Sequence, residues 1–190
     1  TPYVRTNINN KQIITSNEPI KILCLANSFK EGGRCLAGIQ VDGSDRIITR
    51  KKKIIWIRPV CNTNHEEVPN HLAQNIQYFD ILSFRHTPGW KREDYQSENL
   101  RIKNNQIEIT GHGNYSTNFL SRLCENNTYN NIFGNNGNAV TPQEIESINY
   151  SLMMLKVSSF ELVLNNKQFR LRFQFKNNNY DLPITDPKFL

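Results

Sequence analysis

The sequence predicts a mainly β protein with a few short helices. Apolar and polar residues alternate in short runs, as where Phe169, Leu171, Phe173 and Phe175 interleave with Arg170, Arg172, Gln174 and Lys176. That period of two belongs to a half-buried strand. The runs are separated by asparagine-rich stretches such as "ENNTYNNIFGNNGN" and "FKNNNYD", and Asn suits turns because it tolerates left-handed backbone angles. With 190 residues, 37% of them hydrophobic, the chain is long enough for one large domain or two small ones with a real core.

Taken in order, residues 1–19 are polar and aperiodic, and read as an arm or a loosely attached strand. Residues 20–110 form a first β module. Ile20, Ile22, Cys24 and Ala26 line one side of a strand, and Cys35, Ala37, Ile39 and Val41 one side of the next. "IIWIRPV" and "YFDILSF" continue the pattern, with a short helix expected after Pro69. "RHTPGWKREDYQSENL", residues 85–100, reads as a long loop, and loops of that length are commonly functional or mobile.

Residues 111–149 read as a connector carrying helices at 117–124 and 141–148. In the second of these, Thr141, Pro142 and Glu144 form a capping-box signature. Residues 150–190 make a second β module, a meander in which Phe160, Leu162 and Leu164 lead through the turn Asn165–Lys167 to the Phe169–Phe175 strand and back at Tyr180 and Leu182.

The formal charge is +6, which favours approach to phosphate-bearing partners without demanding it. Four cysteines, Cys24, Cys35, Cys61 and Cys124, include no C-x-x-C pair, so a structural zinc is not expected, nor any cofactor. Cys24 and Cys35 suit small buried hydrophobes. No signal peptide opens the sequence and no apolar run approaches membrane-spanning length. The cytoplasm is the expected compartment, and the sequons at Asn114, Asn126 and Asn149 match chance in so Asn-rich a chain.

Three constellations carry potential chemistry. In "KILCLANSFKEGGRCLAGIQ" the polar connector holds Asn27, Ser28, Lys30 and Arg34 between two buried runs, a place where binding residues often stand. In "RKKKIIWIRP" four consecutive cations, Arg50, Lys51, Lys52 and Lys53, feed a strand whose alternation puts Ile54, Trp56 and Arg58 on one face. Trp56 beside Arg58 suits stacking on a base and pairing with its phosphate, while the competing possibility is a core Trp and a solvated turn. Arg170, Arg172 and Lys176 form a basic strand face that suits either a phosphate repeat or edge protection.

Enzymatic patterns are weaker. His65 and His71 are six residues apart, whereas a zincin helix needs four. "GHGNY" offers His112 as a base, with Glu98 as its only suggested partner, and the expectation is a protein that is not an enzyme.

The ordered motifs "ILCLANS", "GGRC", "WIRPV", "HEEV", "FDIL", "YQSEN" and "YDLPITDP" together resemble the bacterial and archaeal dual OB-containing domain, from about Lys21 to Pro187. The resemblance implies OB-fold-like β-barrels, two of them, and binding of nucleic acid. The second barrel is then either cut short or completed unusually, because in the family more strand-like sequence follows the T-D-P motif. Positions matching the family include Asn27, Ser28, Lys30, Gly33, Arg34, Trp56, Arg58, Pro59, Tyr95, Gln96, Glu98 and Asn99.

On this basis the expected partner is RNA or DNA, single-stranded or structured. The contacts are expected from Asn27, Ser28, Lys30, Arg34, Lys51, Lys52, Lys53, Trp56, Arg58, Tyr95, Gln96, Asn99, Arg170 and Arg172. No metal ligand and no membrane contact are expected. The alternative is a protein-interaction or nucleotide-sensing module of a larger assembly. A competing internal role for Arg34 is a bond to an acidic neighbour such as Glu98.

Overall fold

In the computed structural model, which describes residues 18–90 and 94–187, apolar alternation and turn chemistry give eleven strands and three short helices. The expected arm at residues 1–19 falls almost wholly outside the described residues. The strands are β1 (Ile20–Lys30), β2 (Gly33–Val41), β3 (Thr49–Arg50), β4 (Lys53–Ile54), β5 (Trp56–Val60), β6 (Val68–Pro69), β7 (Asp80–His86), β8 (Asn99–His112), β9 (Phe160–Asn165), β10 (Gln168–Phe175) and β11 (Asn178–Pro183). The helices are α1 (Asn70–Ala73), α2 (Thr117–Leu123) and α3 (Pro142–Glu146).

Contacts divide the described residues into two compact units, residues 18–90 with 98–115, and residues 94–97 with 116–187. In the first, strand order β1-β7-β8-β5-β2 is closed by pairing of β1 with β2. The result is a closed five-stranded barrel, with β6 added beside β2. All neighbours are antiparallel except β5 and β8, which run parallel with Arg58 opposite Asn99 and Val60 opposite Arg101.

This closure depends on β1 serving two partners. Ile20 to Leu23 pair with β7 while Lys21 to Lys30 pair with β2, and a register shift between Cys24 and Ala26, which leaves Leu25 out, bends the strand between the two tasks. The barrel interior holds Ile22, Leu36, Ile57, Val68, Ala73, Leu82, Phe84 and Ile102. Cys24 and Cys61 are buried as small hydrophobes, and burial, with Glu67 nearby, pushes the Cys61 thiol up to about 11.

The strand β8 is longer than its sequence suggests. Its alternation breaks at residues 103–106, which loop out so that His86 pairs with Ile102 and Phe84 with Ile107. Asn104 and Asn105 take the left-handed angles, φ 56° and 51°, that this excursion requires.

In the second unit, β9, β10 and β11 form the antiparallel meander that the alternation predicts, with Phe173 opposite both Phe160 and Tyr180. One end of its apolar face is covered, where Phe175 and Tyr180 pack with Ile132, Phe133, Met153 and Leu155. Thr141 and Glu144 make the reciprocal capping box at the start of α3. Among the described residues no helix is long and apolar enough to cross a membrane.

Candidate nucleic-acid interface

The connector between β1 and β2 folds as a tight hairpin, with Phe29 directly opposite Arg34 and Lys30 opposite Gly33. Gly32 supplies the left-handed turn residue at φ +78°, and Gly33 has no room for a side chain, since a Cβ there would stand 2.5 Å from the Val68 carbonyl oxygen. The missing Cβ lets β6 lie against the hairpin, where Arg34 faces Val68. The Arg34 guanidinium sits over the Phe29 ring at 4.1 Å, and its Nε donates to Asn70 Oδ1 at 3.1 Å. Phe29 nevertheless stays 45% exposed. Ser28 and Lys30 are half-buried beside it.

Asn27 does not belong to this surface. It is buried, and its Nδ2 donates to the carbonyls of Ala73 and Ile76 at 3.0 and 2.9 Å. Its amide clamps the end of α1 onto β1, so the expected ligand contact is replaced by an internal one. The internal partner of Arg34 is Asn70 and Phe29, not Glu98.

Between β2 and β5 the chain makes a second hairpin, β3 with β4, whose two turn residues are Lys51 and Lys52 at φ 49° and 66°. Two consecutive left-handed residues match the right-handed twist of a two-residue hairpin. Arg50, Lys51, Lys52 and Lys53 are all exposed. Among the described residues no carboxylate pairs with Arg50, Lys51 or Lys52. Trp56 follows, half-buried on β5 and opposite Ile39 of β2.

Arg58 is turned to a different task. It is 8% exposed, its backbone N–H donates to the Glu98 carbonyl at 3.0 Å and its Nη1 to Asn99 Oδ1 at 3.3 Å. Its Nη2 stands 3.7 Å from Glu98 Oε1. Asn99 is buried too and donates to Glu66 Oε2 at 3.4 Å. Glu66 also faces Arg101, whose guanidinium lies over the Trp90 ring at 4.6 Å. The expected outward roles of Arg58 and Asn99 therefore give way to a polar network that fastens the parallel seam of β5 and β8. A buried guanidinium needs such partners to offset its desolvation.

Tyr95 and Gln96 fall in the second unit and are half-buried. The Gln96 N–H donates to Asp94 Oδ1 at 2.9 Å, an Asx turn. Arg170 and Arg172 share one carboxylate: Arg170 Nε reaches Asp181 Oδ1 at 2.5 Å, and Arg172 Nε reaches Oδ2 at 3.1 Å. Arg172 also faces Glu161 at 3.9 Å. The Arg170 guanidinium, helped by Arg172, holds the Asp181 carboxyl below its usual range. The two arginines of the basic strand face are thus held in a cross-strand charge ladder, while Lys176 stays exposed with its Nζ 5.8 Å from the Phe175 ring centre.

His112 Nδ1 stands 2.8 Å from Asp80 Oδ1, while Glu98 is engaged with Arg58. The pairing of His112 with Glu98 that an enzymatic role for this histidine would use is not formed. Phe29 escaped the sequence reading because alternation alone does not tell which strand end stays in water. The signal that finds it is the cross-strand register, which puts an aromatic opposite an arginine at a hairpin tip.

The family model of the dual OB-containing domain matches residues 20–190, and the chain belongs to that family. No curated protein and no solved structure matches the chain.

Proposed function

We propose that this member of the dual OB-containing domain family is a non-enzymatic nucleic-acid-binding module that holds RNA or DNA by its phosphates, in the cytoplasm. The observation that carries this reading is the contrast between two kinds of cation. Arg58, Arg170 and Arg172 each have a carboxylate of their own chain within reach. Arg50, Lys51 and Lys52, at the tip of the β3–β4 hairpin, have none among the described residues. A tip of unneutralised cations adjoining the second and third barrel strands suits a polyanion, because OB barrels bind extended polymers on that strand face and its bordering loops. Trp56 and Lys53 extend the same ribbon, and Ser28, Lys30 and Arg34 stand on the neighbouring hairpin.

Binding of labelled 20-nucleotide DNA and RNA, followed by fluorescence anisotropy across a salt series, tests the reading. Four phosphate contacts on a single strand lower affinity by roughly 50-fold between 50 and 200 mM salt, through counterion release. Affinity that ignores salt, or that survives conversion of Lys51 and Lys52 to Glu, overturns it.

A protein-interaction role is favoured by one separate observation. Phe160, Leu162 and Leu164, on the edge strand β9, are 60%, 48% and 61% exposed, and an exposed apolar edge suits a partner strand.

A further inference from the structure

We infer that the Phe29–Arg34 pair is a stacking platform for an unpaired nucleobase, which makes the ligand class single-stranded. This rests on the nucleic-acid reading above and deepens it. Arg34 covers one face of the Phe29 ring at 4.1 Å, yet the ring remains 45% exposed. A large apolar side chain held in water at a hairpin tip gains little from the fold, but it offers a π surface to any base.

The platform is fixed before a ligand arrives. Phe29 and Arg34 are direct cross-strand partners, the turn joining their strands is two residues long, and β6 holds Arg34 from its other side. Asn70 Oδ1 fixes the guanidinium through Nε at 3.1 Å. Arg34 Nη1 is itself buried, without a hydrogen-bond partner among the described residues. Ordering a ring in advance removes part of the entropy that binding would otherwise have to overcome.

Duplex bases have both faces covered by their neighbours, so a platform of this kind discriminates by strandedness. The basic hairpin does not, since phosphates are present on either form. The two sites therefore separate by their salt dependence: stacking is nearly independent of salt, while phosphate contact follows it.

The test uses the full chain, a 20-nucleotide oligothymidylate, a 20-base-pair duplex and a salt series. Phe29→Ala is expected to weaken single-strand binding by roughly 5- to 150-fold with the salt slope unchanged. Phe29→Trp is expected to retain or tighten it, and circular dichroism should show both variants folded. Lys51→Ala with Lys52→Ala is expected to flatten the slope by about 1.4, two phosphates at about 0.7 each. If Phe29→Ala binds the single strand as the parent does while the lysine variant loses slope, the platform is refuted and the phosphate reading stands. Equal affinity for duplex and single strand also refutes it. If the parent binds neither oligonucleotide at low salt, the nucleic-acid reading fails and the platform with it.

Discussion

Glu98 Oε1 and Arg58 Nη2 stand 3.7 Å apart with their side chains only 6% and 10% exposed. The pair crosses the one parallel seam of the barrel, where β5 and β8 meet without a hairpin to join them. Removing one member leaves the other charged and out of water. Glu98→Ala is therefore expected to destabilise the protein by about 3 kcal/mol, read as a lowered urea midpoint. Replacing both residues together, Arg58→Met with Glu98→Leu, should cost less than the single change. If the double variant is the weaker of the two, Arg58 holds the seam chiefly through Asn99 and not through Glu98.

The hairpin tip sets stability against binding. Lys51 and Lys52 occupy left-handed backbone at φ 49° and 66°, where a residue with a Cβ loses roughly 1 kcal/mol relative to one suited to the turn. At the loop-out in β8 the chain meets the same demand with Asn104 and Asn105, and at the β9–β10 turn with Asn166 and Lys167. Lys51→Asn with Lys52→Gly is expected to raise the thermal midpoint while weakening oligonucleotide binding. Unchanged affinity in the more stable variant would show that the lysines are there for another reason.

The charge ladder of β10 and β11 gives the opposite expectation. Asp181 engages both Arg170 and Arg172, so neither guanidinium is offered to a polyanion. Arg172→Ala should leave oligonucleotide affinity within about twofold of the parent, since a half-exposed pair of this kind contributes little beyond its own geometry. A loss as large as that of the Lys51 and Lys52 variant, measured in the same anisotropy assay, would restore the strand face to the interface.

Strand alternation was enough to place the two hydrophobic runs around the Asn27–Arg34 connector, the Trp56 strand and the terminal meander. The capping-box signature placed α3. What a sequence leaves open is which polar residue a closed barrel turns inward. Asn27 and Arg58 look like surface groups because nothing local announces that Ala73 and Ile76, or Glu98, will arrive beside them from 40 or more residues away. Arg170 and Arg172 were legible as a charged face, but their partner Asp181 belongs to the next strand. The long strand β8 was hidden because residues 103–106 interrupt its period. Phe29 needed the β1–β2 register, which a one-residue slip would have sent to the other face.

His86 supplies the last prediction, a dependence of stability on pH. It lies on β7 opposite Ile102 and is 9% exposed. Burial disfavours its charged form and holds its pKa below the ordinary 6.5. In the unfolded chain the imidazole takes up a proton as pH falls through 6.5, while the folded chain resists until its lower pKa is reached. Across that window the unfolded state binds more protons, so stability rises with pH and falls on acidification. The contribution is complete above 6.5 and is lost as pH drops through the folded value. Urea midpoints at pH 7.5, 6.5 and 5.5 should fall in that order for the parent protein. His86→Gln should flatten the series, and a variant that keeps the full slope would assign the titration to another group.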